Sequence, residues 1–142
     1  MRVVADTNIV ISGLLWGGSP RQVLEAARQE IIDLFTSAVL LAELEDVLQS
    51  DKFALRLAKA NVTPHELTLG YSALATIVEP AEVASVIIAD PDDDAVLACA
   101  VAANAEVIVS GDHHLLELKR YFSITILSSS ELLSRLSLQG NS

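Results

Sequence analysis

Acidic residues stand at the points of this sequence where strands are predicted to end. Asp6 closes the apolar run at residues 2–6, and Asp112 follows the apolar run at residues 107–110. Sites in parallel sheets form outside the carboxyl ends of the strands, so these carboxylates are placed to share a site. Asp6 has apolar neighbours, among which an unpaired carboxylate is costly, and the sequence therefore predicts a cation beside it. The alternative is that each acid is an ordinary helix N-cap or turn residue.

Further acids fall on predicted helices. In the helix at residues 37–49, Glu43 lies about 100° from the apolar stripe centred on Leu44, at the edge where a half-buried side chain is expected. The run Asp90-Pro91-Asp92-Asp93-Asp94 places four carboxylates at one helix start, and capping with the helix dipole explains two or three of them. Asp93 and Asp94 straddle the apolar face, and the helical period does not choose between them.

The type of these residues indicates which metal they would bind. Carboxylates from separate segments that meet at one end of a sheet form an all-oxygen ligand set, which suits Mg²⁺ or Mn²⁺ and suits Zn²⁺ poorly. His113 and His114 are adjacent at a helix start, where their side chains are expected to diverge by about 100°. Without a Cys or a third His nearby, they are predicted to be surface or supporting residues.

Composition limits the class of protein. The 142 residues are 51% hydrophobic with a formal net charge of −10 and a single cysteine, Cys99. They predict one soluble, cytoplasmic domain over residues 1–142, without a signal peptide or a membrane span. The negative charge opposes non-specific binding to nucleic acid, so phosphate chemistry here would need metal cations.

Strand-like and helix-like segments alternate along the chain, which predicts an α/β domain with a mainly parallel sheet and helices on both faces. Strands are predicted at residues 2–6, 32–36, 77–79, 107–110 and 124–127, and helices at 19–30, 37–49, 51–60, 64–75, 90–104, 112–118 and 128–138. Ser19 and Asp90 are expected to cap two of these helices, while Thr63 with Glu66 and Ser128 with Glu131 form capping boxes.

Four short motifs in this order resemble those of the PIN domain family, of the kind found in VapC-type toxins of toxin–antitoxin pairs. The resemblance covers nearly the whole chain. It rests on Asp6-Thr7-Asn8 with Ser12, Ala42-Glu43-Leu44 with Leu48, Asp94-Ala95-Val96-Leu97-Ala98, and Ser110-Gly111-Asp112 before Leu115.

This resemblance implies a three-layer α/β/α sandwich and a metal-dependent ribonuclease. It assigns catalysis and Mg²⁺ or Mn²⁺ binding to four acids, and so selects Asp94 over Asp93, which is left with a supporting role. The four acids are Asp6, Glu43, Asp94 and Asp112. Asn8, Ser12 and Ser110 match polar positions that line the site, and His114 stands where many relatives have another acid. The implied partners are RNA, a cognate antitoxin and a second copy of the chain.

Two segments bear on partners without deciding them. Lys52, Arg56 and Lys59 recur at helical spacing, as a solvated helix face or as a track for RNA phosphates. Trp16, with its neighbouring leucines and glycines, is either an exposed apolar loop or part of the core. The competing hypothesis for the whole chain is a PIN-like module that binds RNA or protein without cutting. A phosphatase of the haloacid dehalogenase kind is disfavoured because it needs a second Asp where Asn8 stands.

Overall fold

The computed structural model describes residues 1–81 and 91–140, and within these ranges it forms one six-stranded sheet with eight helices. The strands are β1 (Arg2–Ala5), β2 (Asp33–Thr36), β3 (Thr76–Ile77), β4 (Val107–Val109), β5 (Arg120–Tyr121) and β6 (Ile124–Leu127). The helices are α1 (Thr7–Leu15), α2 (Gly18–Arg28), α3 (Ala38–Leu48), α4 (Asp51–Ala60), α5 (Pro64–Leu74), α6 (Pro91–Ala102), α7 (His113–Leu118) and α8 (Ser129–Gly140).

The strand order is β3-β2-β1-β4-β6-β5, and all pairs are parallel except β5 with β6. The predicted mainly parallel sheet is therefore confirmed. From β1 the chain builds outward to β2 and β3 on one side, and it then returns to add β4 on the other side. The carboxyl ends of β1 and β4 thus lie at the point where the order reverses, where open α/β sheets form their binding crevice.

Helices cover both faces of the sheet, as the three-layer prediction requires. Side chains alternate across a strand, so Val3 and Ala5 join the core cluster that includes residues of α1, α2, α3 and α5. Val4 points to the opposite face and joins the cluster formed with α6 and α7. Each layer is held by burial of apolar surface against the central β1 and β4 strands.

Both predicted capping boxes are present in the structure. Thr63 and Glu66 form the expected reciprocal hydrogen bonds at the start of α5. Ser128 and Glu131 do the same before α8. Ser37 caps α3 through the Leu40 amide at 3.2 Å. These side chains satisfy amides that the first helical turn leaves without a partner.

The prediction is wrong between Asp6 and Ser19, where the structure adds helix α1. Six of its nine residues are buried, so the segment is apolar on most sides and lacks the polar face that reveals a helix. Ser19 does not cap α2, because that helix begins at Gly18. Instead its hydroxyl shares a 2.7 Å hydrogen bond with that of Ser129. Gly17 and Gly18 have φ values of 115° and 67°, which form the tight turn between α1 and α2.

Smaller differences concern the edges of elements. The two-residue strand β5 was not predicted, because it is too short to give a period. Helix α6 ends at Ala102, and Asn104 stops it in a left-handed conformation with φ 52°. The predicted cap Asp90 lies outside the described residues. Among the helices that are described, none combines the length and apolar character needed to cross a membrane.

Candidate active site

A cavity of about 220 Å³ opens where β1 and β4 end, and carboxylates dominate its wall. Four of its seven lining residues are acids, and they come from four separate parts of the chain. The lining consists of Asp6, Thr7, Asn8, Glu43, Asp93, Val96 and Asp112. Three of the four acids assigned from the family resemblance are therefore brought together in space.

Asp6 is buried in this wall, with 5% of its surface exposed. Its Oδ1 atom accepts the Ile9 amide at 2.9 Å, so the residue is the N-cap of α1. Its Oδ2 atom accepts a hydrogen bond from the hydroxyl of Ser110. The N-cap interpretation and the site interpretation are thus both compatible with the geometry, because one oxygen serves the helix and the other faces β4.

Burial raises the pKa of the Asp6 carboxyl above the ordinary aspartate value, and the negative charge of Asp112 raises it further. Hydrogen bonds from Ser110 and from the amides of Ile9 and Gly111 lower the pKa without cancelling the effect of burial. Desolvation disfavours the charged form of a carboxyl group, and a nearby like charge acts in the same direction. A cation at this position would reverse both effects.

Asp112 is tied to Asp6 through a single serine. The Asp112 amide donates to the Ser110 hydroxyl oxygen at 2.9 Å, and that hydroxyl donates to Asp6. The Asp112 side chain caps α7 by accepting the amide of His114 at 2.7 Å. Ser110 is fully buried, and it fixes the relative position of the two carboxylates.

Glu43 reaches the cavity from the middle of α3. Leu40, Leu44 and Leu48 form the buried face of that helix, and Glu43 is half-buried at its edge, as the helical period predicted. Glu45 on the same helix instead accepts a 2.7 Å hydrogen bond from His65. The helix therefore directs one acid to the site and another towards α5.

Helix α6 supplies Asp93 to the cavity wall, together with Val96 one turn later. Asp93 is 5% exposed, whereas Asp94 is half-buried and is absent from the described lining residues. Successive helical residues are rotated by about 100°, so the two adjacent acids leave the helix in different directions. Asp93 is thus the α6 acid among the described lining residues, and the assignment of Asp94 from the family resemblance stays a prediction.

Of the three polar residues expected to support the site, two lie at it and one does not. Asn8 lines the cavity, and Ser110 contacts Asp6 directly. Ser12 lies near the far end of α1, where its carbonyl accepts the amides of Trp16 and Gly17, and it is not among the described lining residues. Thr7 was missed by the sequence reading, although it follows Asp6 directly and is buried in the wall.

The paired histidines do not diverge as expected. Their ring centroids are 4.2 Å apart, and a ligand atom from each lies within 4.8 Å of the other and of an Asp112 carboxylate oxygen. Rotation about the side-chain bonds compensates for the helical rotation between adjacent residues. Both imidazoles are exposed, and they stand beside one of the cavity carboxylates.

The chemistry of the donors fits a hard divalent cation. The cavity wall offers carboxylate oxygens from four segments, and none of its described lining residues is basic. Such a set matches the oxygen ligands that Mg²⁺ and Mn²⁺ prefer. Without a cation, burial raises the pKa of Asp6, and the charge of Asp112 adds a smaller effect in the same direction.

Comparison with known proteins gives two positive findings. A family model described as a PIN domain matches residues 2–114. The fold is similar to that of a chain in the crystal structure of VapBC2 from Rickettsia felis bound to a DNA fragment from their promoter. That chain is 19% identical with a TM-score of 0.56, and the alignment covers 89% of this chain and 97% of the other. No curated protein matches the chain.

Proposed function

The chain belongs to the PIN domain family, and on this premise we propose that it is a metal-dependent ribonuclease that serves as the toxin of a toxin–antitoxin pair. The family match confirms the resemblance read from the four sequence motifs. PIN domains are generally nucleases and typically depend on divalent metal ions. The RNA substrate, the choice of Mg²⁺ or Mn²⁺ and the residues that act are the parts that we propose.

One observation carries this function: acids from four separate segments line a single cavity at the reversal point of a parallel sheet. Gathering negative charge in this way opposes folding, and it is costly unless a ligand neutralises it. A structural role explains the hydrogen bonds by which Asp6 and Asp112 cap helices. Glu43 and Asp93 reach the same space from two further helices.

We propose that Asp6, Glu43 and Asp112 hold the cation together with an acid of α6. The cavity favours Asp93 for this fourth position, and the family motif favours Asp94. A bound divalent cation would neutralise charge on the scissile phosphate and activate water for attack. The protein residues hold that cation in place: Ser110 orients Asp6, and the two helix caps orient Asp6 and Asp112.

Asn8 has a separate role in this proposal. Its side chain lines the cavity beside Asp6, and an amide group can donate to a phosphate oxygen without adding charge. Thr7 is buried in the wall next to it. The residues of this chain thus contribute mainly positioning and electrostatic stabilisation.

The toxin assignment rests on the structural neighbour, which is a VapBC2 complex bound to promoter DNA. By analogy we propose a cognate antitoxin, a homodimer or higher homo-oligomer, and action in the cytoplasm. The unit that carries the activity is proposed to be one domain over residues 1–142.

The test is RNA cleavage by the purified chain with Mn²⁺, with Mg²⁺ and with EDTA. We expect cleavage only with a metal, and we expect Asp6→Asn to lose at least about 100-fold in rate. Asp33→Asn is the matched control, because Asp33 is exposed at the amino end of β2, at the opposite edge of the sheet. Calorimetric titration with Mn²⁺ gives an independent readout, in which Asp6→Asn and not Asp33→Asn weakens binding.

Failure takes a recognisable form. Equal metal binding by the wild type and Asp6→Asn would contradict the metal site. If none of the RNAs tested is cleaved, and the wild type and Asp6→Asn both still bind RNA, the chain would instead be a binding module without catalysis.

A further inference from the structure

A second cavity, of about 670 Å³, lies between the end of α1 and helix α4, and its rim is strongly basic. We call it the basic groove and define it by Trp16, Arg21, Lys52, Leu55, Arg56 and Lys59, which line it. None of its described lining residues is acidic. The acidic cavity and this groove therefore differ completely in charge.

The concentration of positive charge is unusual for this chain. The sequence has nine lysines and arginines against a formal net charge of −10, and four of the nine line the basic groove. Clustered charges in a concave surface focus the local potential and attract an oppositely charged ligand in spite of the net charge. A polyanion that approaches this protein is attracted most strongly here.

Two of the four cations are held in fixed positions by the end of α1. The Arg21 Nε atom donates to the Gly13 carbonyl at 3.2 Å, and the Arg56 guanidinium donates to the Leu15 carbonyl. The Arg56 guanidinium also lies over the Trp16 ring, 4.1 Å from its centroid. Holding the guanidinium groups in advance reduces the entropy lost when they bind phosphate oxygens.

The other two cations lie on one exposed face of α4. Lys52 and Lys59 are seven residues apart, which places them two turns and about 10 Å apart on the same side of the helix. Phe53 and Leu57 form the opposite, buried side. The Lys52 ammonium lies over the Phe53 ring, 5.1 Å from its centroid, whereas the two arginines donate hydrogen bonds to backbone carbonyls.

The apolar part of the groove favours a nucleic acid over a protein helix as the occupant. Leu14, Val62 and Leu67 also line the groove, and they are partly buried and pack against the main core cluster. The large exposed apolar side chains at the rim are Trp16, 57% exposed, and Leu55, 70% exposed. A tryptophan with an arginine beside it is a stacking surface for a base, and four cations match a run of phosphates.

The groove is also within reach of the carboxylates. Asp6 caps the first turn of α1, and Leu15 and Trp16 stand at its other end, so a nine-residue helix separates the two sites. That helix is about 13 Å long, a distance that a few nucleotides of single-stranded RNA can span. The separation along α1 is therefore short enough for one strand to contact both sites.

We propose that the basic groove is the site that grips the phosphate backbone of single-stranded RNA, with Trp16 and Arg56 stacking on a base. This inference rests on the proposed ribonuclease function, and it assigns substrate binding to a surface remote from the cutting residues. It explains how an acidic protein with an acidic active site holds a polyanion.

The test is binding of a fluorescein-labelled single-stranded RNA to the full chain in EDTA, measured by anisotropy over a range of salt concentrations. We compare Lys52→Gln/Lys59→Gln with Arg28→Gln/Arg135→Gln, which removes the same charge from exposed residues outside the groove. The groove variant is expected to raise Kd about tenfold. It should also lower the slope of log Kd against log salt by about 1.4, or about 0.7 for each phosphate that the variant no longer neutralises.

The outcomes separate the competing explanations. Equal Kd values and slopes for the two double variants would overturn the inference. The inference would also be overturned if the groove substitutions left RNA affinity unchanged but weakened binding of a synthetic leucine- and glutamate-rich helical peptide. The groove would then be a protein-docking surface. Groove-dependent RNA binding without any metal-dependent cleavage would leave the inference standing and contradict only the proposed function.

Discussion

The hydroxyl of Ser110 joins the two carboxylates that end β1 and β4, because it donates to Asp6 while it accepts the amide of Asp112. These strands are neighbours in the sheet, with Ala5 paired to Val109. Asp6 and Ser110 therefore meet directly after the last paired residues, although 104 positions separate them in the sequence. A fully buried serine thus sets the geometry on which the proposed metal site depends.

Replacing Ser110 by alanine tests that role. The hydrogen bond lowers the pKa of Asp6, so its loss should raise that pKa further and move the acidic limb of the pH–activity profile to higher pH. We expect activity with Mn²⁺ to fall about 10- to 100-fold at neutral pH, as for other residues that orient ligands. Ser129→Ala is the control, since it removes a buried serine hydrogen bond elsewhere. An unshifted profile would contradict the assignment.

The pKa shift of Asp6 predicts how stability depends on pH in metal-free protein. Its folded pKa is raised above the unfolded value, so the folded state keeps a proton that the unfolded state has lost. The free energy of unfolding should therefore fall as pH rises from the unfolded pKa to the folded pKa. Asp6→Asn lacks this dependence, and it keeps a good N-cap residue. Urea denaturation over this pH range should show the free energy of unfolding of the variant rising relative to that of the wild type as pH increases. A difference that does not change with pH would refute the prediction.

The two adjacent acids of α6 can be separated by experiment. Asp93 lines the acidic cavity and Asp94 does not appear in its described lining, so Asp93→Asn should weaken Mn²⁺ binding and cleavage by at least about 10-fold. Asp94→Asn should have the smaller effect on both measurements. Titration calorimetry and a cleavage assay on the two variants check this. A larger loss in Asp94→Asn would show that the family motif identifies the ligand better than the cavity does.

Close packing of α1 against α2 depends on Gly13. A Cβ atom there would lie 2.7 Å from Leu24 Cδ1 and 2.9 Å from the Pro20 carbonyl oxygen. We expect Gly13→Ala to cost about 1–3 kcal/mol in the free energy of unfolding, because the backbone must move. Gly70→Ala is the matched control: its Cβ would meet nothing within 4 Å, and in α5 it should add about 0.5–1 kcal/mol. Chemical denaturation measures both, and equal effects would contradict the packing argument.

Local signals in the sequence were sufficient for much of the fold. The capping boxes at Thr63 and Ser128 depend on residues three positions apart, and they formed as predicted. The alternation of strand-like and helix-like segments along the chain predicted the parallel sheet, because this alternation can also be read from short stretches of sequence. Helix α1 was missed because an element that is buried on most sides has no polar face to mark its period.

The acids at strand ends, and Glu43 at the edge of its helix, were also determined by the sequence, because strand ends and helix faces follow from short-range periodicity. Only the tertiary structure decided that Ser110 bonds to Asp6, that Asp93 is the α6 acid facing the cavity, and that Arg56 meets Trp16 at the basic groove. Those contacts join segments far apart in the chain. They depend on strand order and on the rotation of each helix about its axis, and burial of the whole core fixes both.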